Sequence, residues 1–140
     1  MATPACPFCA IAKGDVEAQV VLDEARFIAF LDTRPVFVGH VLVAPRAHVA
    51  TLDDLPAEDL GPLFVCVQRV MRAVEAALGA EGTFVAVNNK VSQSVPHLHV
   101  HVVPRKKGDG LRGFFWPRQK YESLAAMAAT ADALRGVLRS

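Results

Sequence analysis

The chain has 140 residues, 52% of them hydrophobic, and its 15 basic and 14 acidic side chains leave a formal charge of +1. That length suits one domain with a continuous core, and so even a charge balance excludes bulk attraction to nucleic acid or to an anionic membrane. No stretch reaches the ~18 apolar residues of a membrane span, and Met1-Ala2-Thr3-Pro4-Ala5-Cys6-Pro7 lacks the basic region and apolar run of a secretory signal, so the expected compartment is the cytoplasm.

In chain order, a short turn of helix is expected around Cys9 to Ala12, ended by Gly14. Val20 to Asp23 and Arg26 to Leu31 read as the two arms of a hairpin, and Gly39 to Ala44 as a third strand. Leu60, Leu63, Phe64, Val67, Val70, Met71, Val74 and Leu78 then recur at the spacing of one helical face, with Gly79 as a stop. Pro56 suits a first helical turn, but Pro62 in a helix interior costs about 3 kcal/mol, which moves the expected regular part towards Gly61 and leaves its start open. Cys66 falls inside this pattern and reads as a buried free thiol.

Thr83 to Val87 and Pro96 to Val103 are two further strands, and the polar stretch Asn88 to Ser94 between them is too short for a crossover helix, so they should pair as a hairpin. Ser123 caps a small-residue helix that runs to Leu138. With no internal repeat and no dividing linker, the order of elements predicts a single α+β domain over residues 1–140. Its mainly antiparallel sheet has five strands, with one long helix and a C-terminal helix at about 123–138.

Three of the five histidines fall in His97-Leu98-His99-Val100-His101. Side chains alternate across a strand, so the imidazoles share one face while Leu98, Val100 and Val102 share the other. Imidazole titrates near neutral pH, and a row of three supplies a nucleophile, a proton donor and a hydrogen-bond donor together. The same spacing suits a transition-metal site, and by spacing alone the two chemistries stand level. Asn88, Asn89, Gln93 and Ser94, in the loop entering this strand, offer amide and hydroxyl donors to phosphate oxygens and favour phosphoryl chemistry.

The segment Ser94-Val95-Pro96-His97-Leu98-His99-Val100-His101-Val102-Val103-Pro104-Arg105 resembles the signature of the histidine triad superfamily. Phe30-Leu31-Asp32, Gly39-His40-Val41-Leu42-Val43 and Ala44-Pro45-Arg46-Ala47-His48 resemble its strand segments in the same order, so the likeness runs from about Cys6 to Trp116 and is nearest the Hint-like branch. The resemblance implies that His99 attacks the α-phosphorus of a nucleoside phosphoramidate, acyl-nucleotide or dinucleoside polyphosphate, and that water resolves the histidyl-nucleotide. It also implies that His101 serves the leaving group, that His97 and His40 organise the site, and that a backbone carbonyl orients the nucleophilic ring. Asp32 would bind the ribose of a purine nucleotide, and Asn88, Gln93 and Ser94 the phosphate. Phe27, with Ile28 or Phe30, would line the base pocket. A homodimer that buries the long helix with Leu63, Val67 and Val74 is implied as well. The reading Asn88-Asn89-Lys90-Val91-Ser92-Gln93 departs from the family's glycine-rich loop, and Lys90 or Ser92 would take over part of the phosphate cradle. Alternative functions are a metal-dependent hydrolase and a nucleotide-binding module with little turnover.

Cys6-Pro7-Phe8-Cys9 has metal-ligand spacing without a second cysteine pair. In bacterial relatives of the Hint branch such a pair holds structural zinc with two histidines, which implies a Cys6, Cys9, His48 and His97 site, with no metal required for the chemical step. After the triad, the glycine-punctuated aromatic stretch Lys106 to Pro117 suggests a flap, to which no residue role is assigned.

Overall fold

A computed structural model describes residues 5–111 and 118–139. The chain divides into two compact units, Met1–Asp109 and Gly110–Ser140. In the first, the order is α1 (Pro7–Lys13), β1 (Val20–Asp23), β2 (Phe27–Leu31), β3 (Val41–Pro45), α2 (Ala57–Leu78), β4 (Gly82–Ala86) and β5 (Val100–Arg105). The strands form one sheet in the order β1-β2-β3-β5-β4, each neighbouring pair antiparallel, as the hairpin readings require.

The period-two alternation divides the sheet into two buried faces. Phe27, Ala29, Val41, Val43, Leu98, Val100 and Val102 pack beneath α2 against Leu63, Cys66, Val67, Val70 and Val74. On the other face Ile28, Phe30, Leu42 and Ala44 pack with Phe8, Ile11 and Ala12 of α1. β2 and β3 are therefore buried on both sides, and this is why their sequences run apolar without a break. Burial also pushes the Cys66 thiol up from its ordinary pKa.

Two boundaries differ from expectation. Helix α2 begins at Ala57 and contains Pro62. The proline ring has no N–H to return to the carbonyl of Glu58, but both residues are exposed, so water can satisfy that carbonyl. Strand β5 begins at Val100, so only His101 of the triad lies within the ladder, paired with Leu42 and Ala86. His97 to His99 lead into it outside the ladder, anchored by Leu98 N–H donating to the Val49 carbonyl at 2.7 Å.

Gly39, with φ of +95°, turns the chain into β3 just before His40, and a Cβ there would stand 2.3 Å from Leu78 Cδ1 at the end of α2. The helix face bearing Leu63, Val67 and Val74, expected at a dimer interface, is already committed to this chain's own core. In the second unit α3 spans Leu124–Leu138, and Ser123 Oγ accepts from the Ala126 N–H at 3.0 Å, the cap its sequence predicts. Residues 112–117 of the aromatic stretch lie outside the described residues.

Candidate active site

The triad lies on the α1 side of the sheet, and backbone groups assign a proton to each of its rings. His99 Nδ1 lies 2.7 Å from the His97 carbonyl. A carbonyl only accepts, so Nδ1 carries the hydrogen and, in the neutral ring, Nε2 keeps the lone pair. The Val36 N–H donates to His40 Nδ1 at 3.1 Å, which leaves the His40 proton on Nε2. That Nε2 is 3.0 Å from His101 Nδ1 and donates to it, so His101 carries its own proton on Nε2, the one nitrogen left to address a ligand.

Burial lowers the His40 pKa against the opposing pull of Asp32, whose Oδ2 lies 3.7 Å from His40 Nε2. Burial, together with His99 and His40 nearby, lowers His101 further, to about 4. Both rings are neutral at pH 7, and the chain from Val36 through His40 to His101 is one of neutral donors and acceptors. His101 can therefore donate a hydrogen bond from Nε2 to a ligand while staying neutral itself.

His97, on the same face, meets the cysteines at the start of α1. Its Nε2 lies 2.8 Å from the Pro45 carbonyl and donates to it, which leaves the Nδ1 lone pair facing Cys6, Cys9 and His48. Cys6 Sγ is 3.3 Å from His97 Nδ1, Cys9 Sγ is 3.3 Å from His48 Nδ1, and the two Nδ1 atoms are 3.2 Å apart. A tetrahedral ion with bonds of about 2.0–2.3 Å sets its ligands roughly 3.3–3.8 Å apart, so this donor set matches a zinc-sized site. Burial and the adjacent Cys6 raise the Cys9 pKa, a cost that a bound cation would reverse by favouring the thiolate. His97 thus groups with Cys6, Cys9 and His48, while His101 groups with His40 and Asp32 in a second set of donor atoms within 4.8 Å of one another.

Several expected contacts take a different form. Asp32 Oδ1 accepts from the Arg34 N–H at 2.8 Å in a local turn, leaving Oδ2 beside His40. Gln93 ties down its own loop: its Oε1 accepts from the Lys90 N–H at 2.9 Å and its Nε2 donates to the Ala50 carbonyl at 2.6 Å. Asn88 and Ser94 are exposed at the mouth of the same loop. Ile28 and Phe30 lie on the triad face, whereas Phe27 sits on the opposite face in the core under α2, because neighbouring strand residues point opposite ways. An apolar cleft of about 430 Å³ lies on that opposite face, lined by Val21, Leu22, Val41 and Val70, with no histidine among its described lining residues.

Two contributors escaped the sequence reading. Arg46 donates to the Glu24 carbonyl and the Ala12 carbonyl, each at 2.7 Å, and pairs with Asp23, joining the end of α1 to the β1–β2 turn. Phe8 meets the His99 ring edge to face at 4.9 Å between centroids. Phe8 lies inside the Cys6 to Cys9 motif, where an aromatic residue between two cysteines at metal-ligand spacing was the available signal.

Residues 13–108 match the HIT domain family. An uncharacterised HIT-like protein of Mycobacterium tuberculosis is 39% identical over 108 residues, which are 76% of this chain and 75% of that protein. An adenosine 5′-monophosphoramidase of Schizosaccharomyces pombe is 34% identical over 114 residues, 80% of this chain and 83% of that protein. The crystal structure of a zinc-bound histidine triad family protein from Mycobacterium smegmatis is 36% identical and superposes with a TM-score of 0.74, covering 92% of this chain and 97% of that one.

Proposed function

This chain belongs to the HIT domain family, and from that membership we propose that it is a hydrolase that transfers a nucleotidyl group to His99 and then to water. The substrates are purine nucleoside phosphoramidates, acyl-nucleotides or dinucleoside polyphosphates. The observation that carries the reading is the His99 Nδ1–H bond to the His97 carbonyl, which presents Nε2 as a nucleophile of defined orientation.

His99 Nε2 attacks the α-phosphorus as the bond to the leaving group breaks; the departing atom takes up a proton from solvent while the neutral His101 donates an Nε2–H hydrogen bond to it. Water then attacks the same phosphorus and gives up a proton to solvent, and the nitrogen–phosphorus bond breaks to release a nucleoside monophosphate and restore the free ring, its Nδ1–H still on the His97 carbonyl. Asp32 Oδ2 would accept from the ribose hydroxyls, Asn88 and Ser94 would hold the α-phosphate, and Gln93 would shape their loop. Ile28 and Phe30 would border the base.

Zinc, held by Cys6, Cys9, His48 and His97, would tie α1 to the sheet and stand outside the transfer step. The working form is a cytoplasmic homodimer in this reading, and its interface would use surface other than Leu63, Val67 and Val74. No helix among the described residues is long and apolar enough to cross a membrane.

Intact-protein mass spectrometry after brief mixing with an adenosine phosphoramidate tests the proposal. Wild type should gain one acid-labile nucleotidyl group and His99→Ala none. Hydrolysis that persists in His99→Ala and stops on metal removal would point instead to a metal-activated water.

A further inference from the structure

Phe8 stands where three features of the first unit meet. Its ring lies edge-on to Phe30 at 5.2 Å, to His97 at 5.9 Å and to His99 at 4.9 Å, the last at an interplanar angle of 89°. His101 flanks His99 at the same centroid distance of 4.9 Å. The His99 ring is therefore held by its hydrogen bond to the His97 carbonyl and bordered by two aromatic side chains, and only 5% of the residue is exposed.

The backbone that carries Phe8 has little freedom. Cys6 and Cys9, on either side of it in sequence, belong to the four-donor cluster, and Cys6 Sγ accepts from the Cys9 N–H at 3.3 Å as the cap of α1. At the far end of α1 the Ala12 carbonyl is held by Arg46, and Ile11 and Ala12 pack on the sheet. Cys6, Phe8, Cys9, Ile11 and Ala12 all precede residue 13, where the matched domain begins, so these side chains add to the site from outside that match.

The geometry points to Phe8 as a positioning residue for the nucleophile: an aromatic stop, carried on α1, that holds the His99 ring in the orientation from which Nε2 attacks. This deepens the reading of His99 as nucleophile and rests on it. An edge-to-face contact lowers the energy of one ring orientation over others, and an imidazole free to rotate would break its bond to the His97 carbonyl and exchange its tautomers.

The experiment compares the full-length, zinc-loaded protein with Phe8→Leu, Phe8→Ala and Phe8→Tyr. Zinc per chain, kcat and KM for an adenosine phosphoramidate, and the imidazole nitrogen resonances of His99 are measured for each. Phe8→Leu and Phe8→Ala should keep their zinc and nearly their KM while kcat falls roughly tenfold, the scale of one aromatic contact. Their His99 resonances should change from a single Nδ1–H tautomer to a mixture. Phe8→Tyr, which keeps the ring, should retain both the kcat and the single tautomer, and with Phe8→Leu it carries the test if Phe8→Ala does not fold.

An unchanged kcat and tautomer in zinc-loaded Phe8→Leu would overturn the inference. So would a rise in KM alone, which would make Phe8 a nucleotide contact, or a loss of zinc that accounts for the whole effect. If wild type forms no histidyl adduct the proposed function itself fails, and the two failures are told apart because the His99 resonances do not depend on turnover.

Discussion

His40 Nε2 donates to His101 Nδ1 at 3.0 Å, and His40 is itself oriented by the Val36 N–H at 3.1 Å. The pair joins two strands, since His40 immediately precedes β3 and His101 lies in β5 beside it. Its consequence is a neutral His101 with one proton directed away from His40.

A hydrogen-bond donor to the leaving group matters most when that group is poor. His101→Ala should therefore slow hydrolysis of an alkylamine phosphoramidate by about 10²–10³. The loss should be much smaller for a substrate whose leaving group departs as a stable anion. Plotting kcat/KM against leaving-group pKa for wild type and variant checks this, and parallel lines would remove His101 from the donor role.

Folding holds His101 at about 4, below the ordinary 6.5. Between those values the unfolded chain binds a proton that the folded chain refuses, so stability linked to His101 is full above about 6.5 and is lost as pH falls towards 4. His40 is shifted in the same direction. The Tm should fall between pH 7 and pH 5, and His101→Gln should flatten that slope.

Cys6, Cys9, His48 and His97 bring four donors together from α1, the β3–α2 connection and the segment entering β5. Protein purified without chelator should hold one zinc per chain by elemental analysis. Cys9→Ser should bind less and melt about 5–10 °C lower, the shift expected for a loss of a few kcal/mol in a domain of this size. Hydrogen exchange should place the loosening in α1.

Lys90 and Ser92 occupy the left-handed region, with φ of 69° and 61°. A side chain costs roughly 1–2 kcal/mol there, partly offset in glycine by the larger entropy of its unfolded chain. Lys90→Gly should thus raise stability by up to about 1 kcal/mol in urea unfolding. If Lys90 has taken over part of the phosphate cradle, the same variant should raise KM for a nucleotide substrate, whereas an unchanged KM would confine its role to the turn.

Much of the site was legible in the chain because strands alternate and helices repeat. His97, His99 and His101 on one face, Leu98, Val100 and Val102 on the other, and the apolar stripe of α2 all follow from local periodicity. The same rule separates Ile28 from Phe27, yet which face carries the triad depends on how β2 aligns with β3 and β3 with β5, and that register is a long-range choice.

The sequence by itself determined the residue types, the five strands and their hairpins, and the spacing that marks both triad and cysteine pair, since these depend on neighbours a few positions apart. Only the tertiary structure decided which nitrogen of His97, His40 and His101 carries the proton, because the deciding partners are the Pro45 carbonyl, the Val36 N–H and the His40 ring. It alone brought Phe8 against His99 across 91 residues of chain and closed Arg46 on the end of α1. Those contacts are selected by the packing of whole elements, and local composition carries no record of which elements will meet.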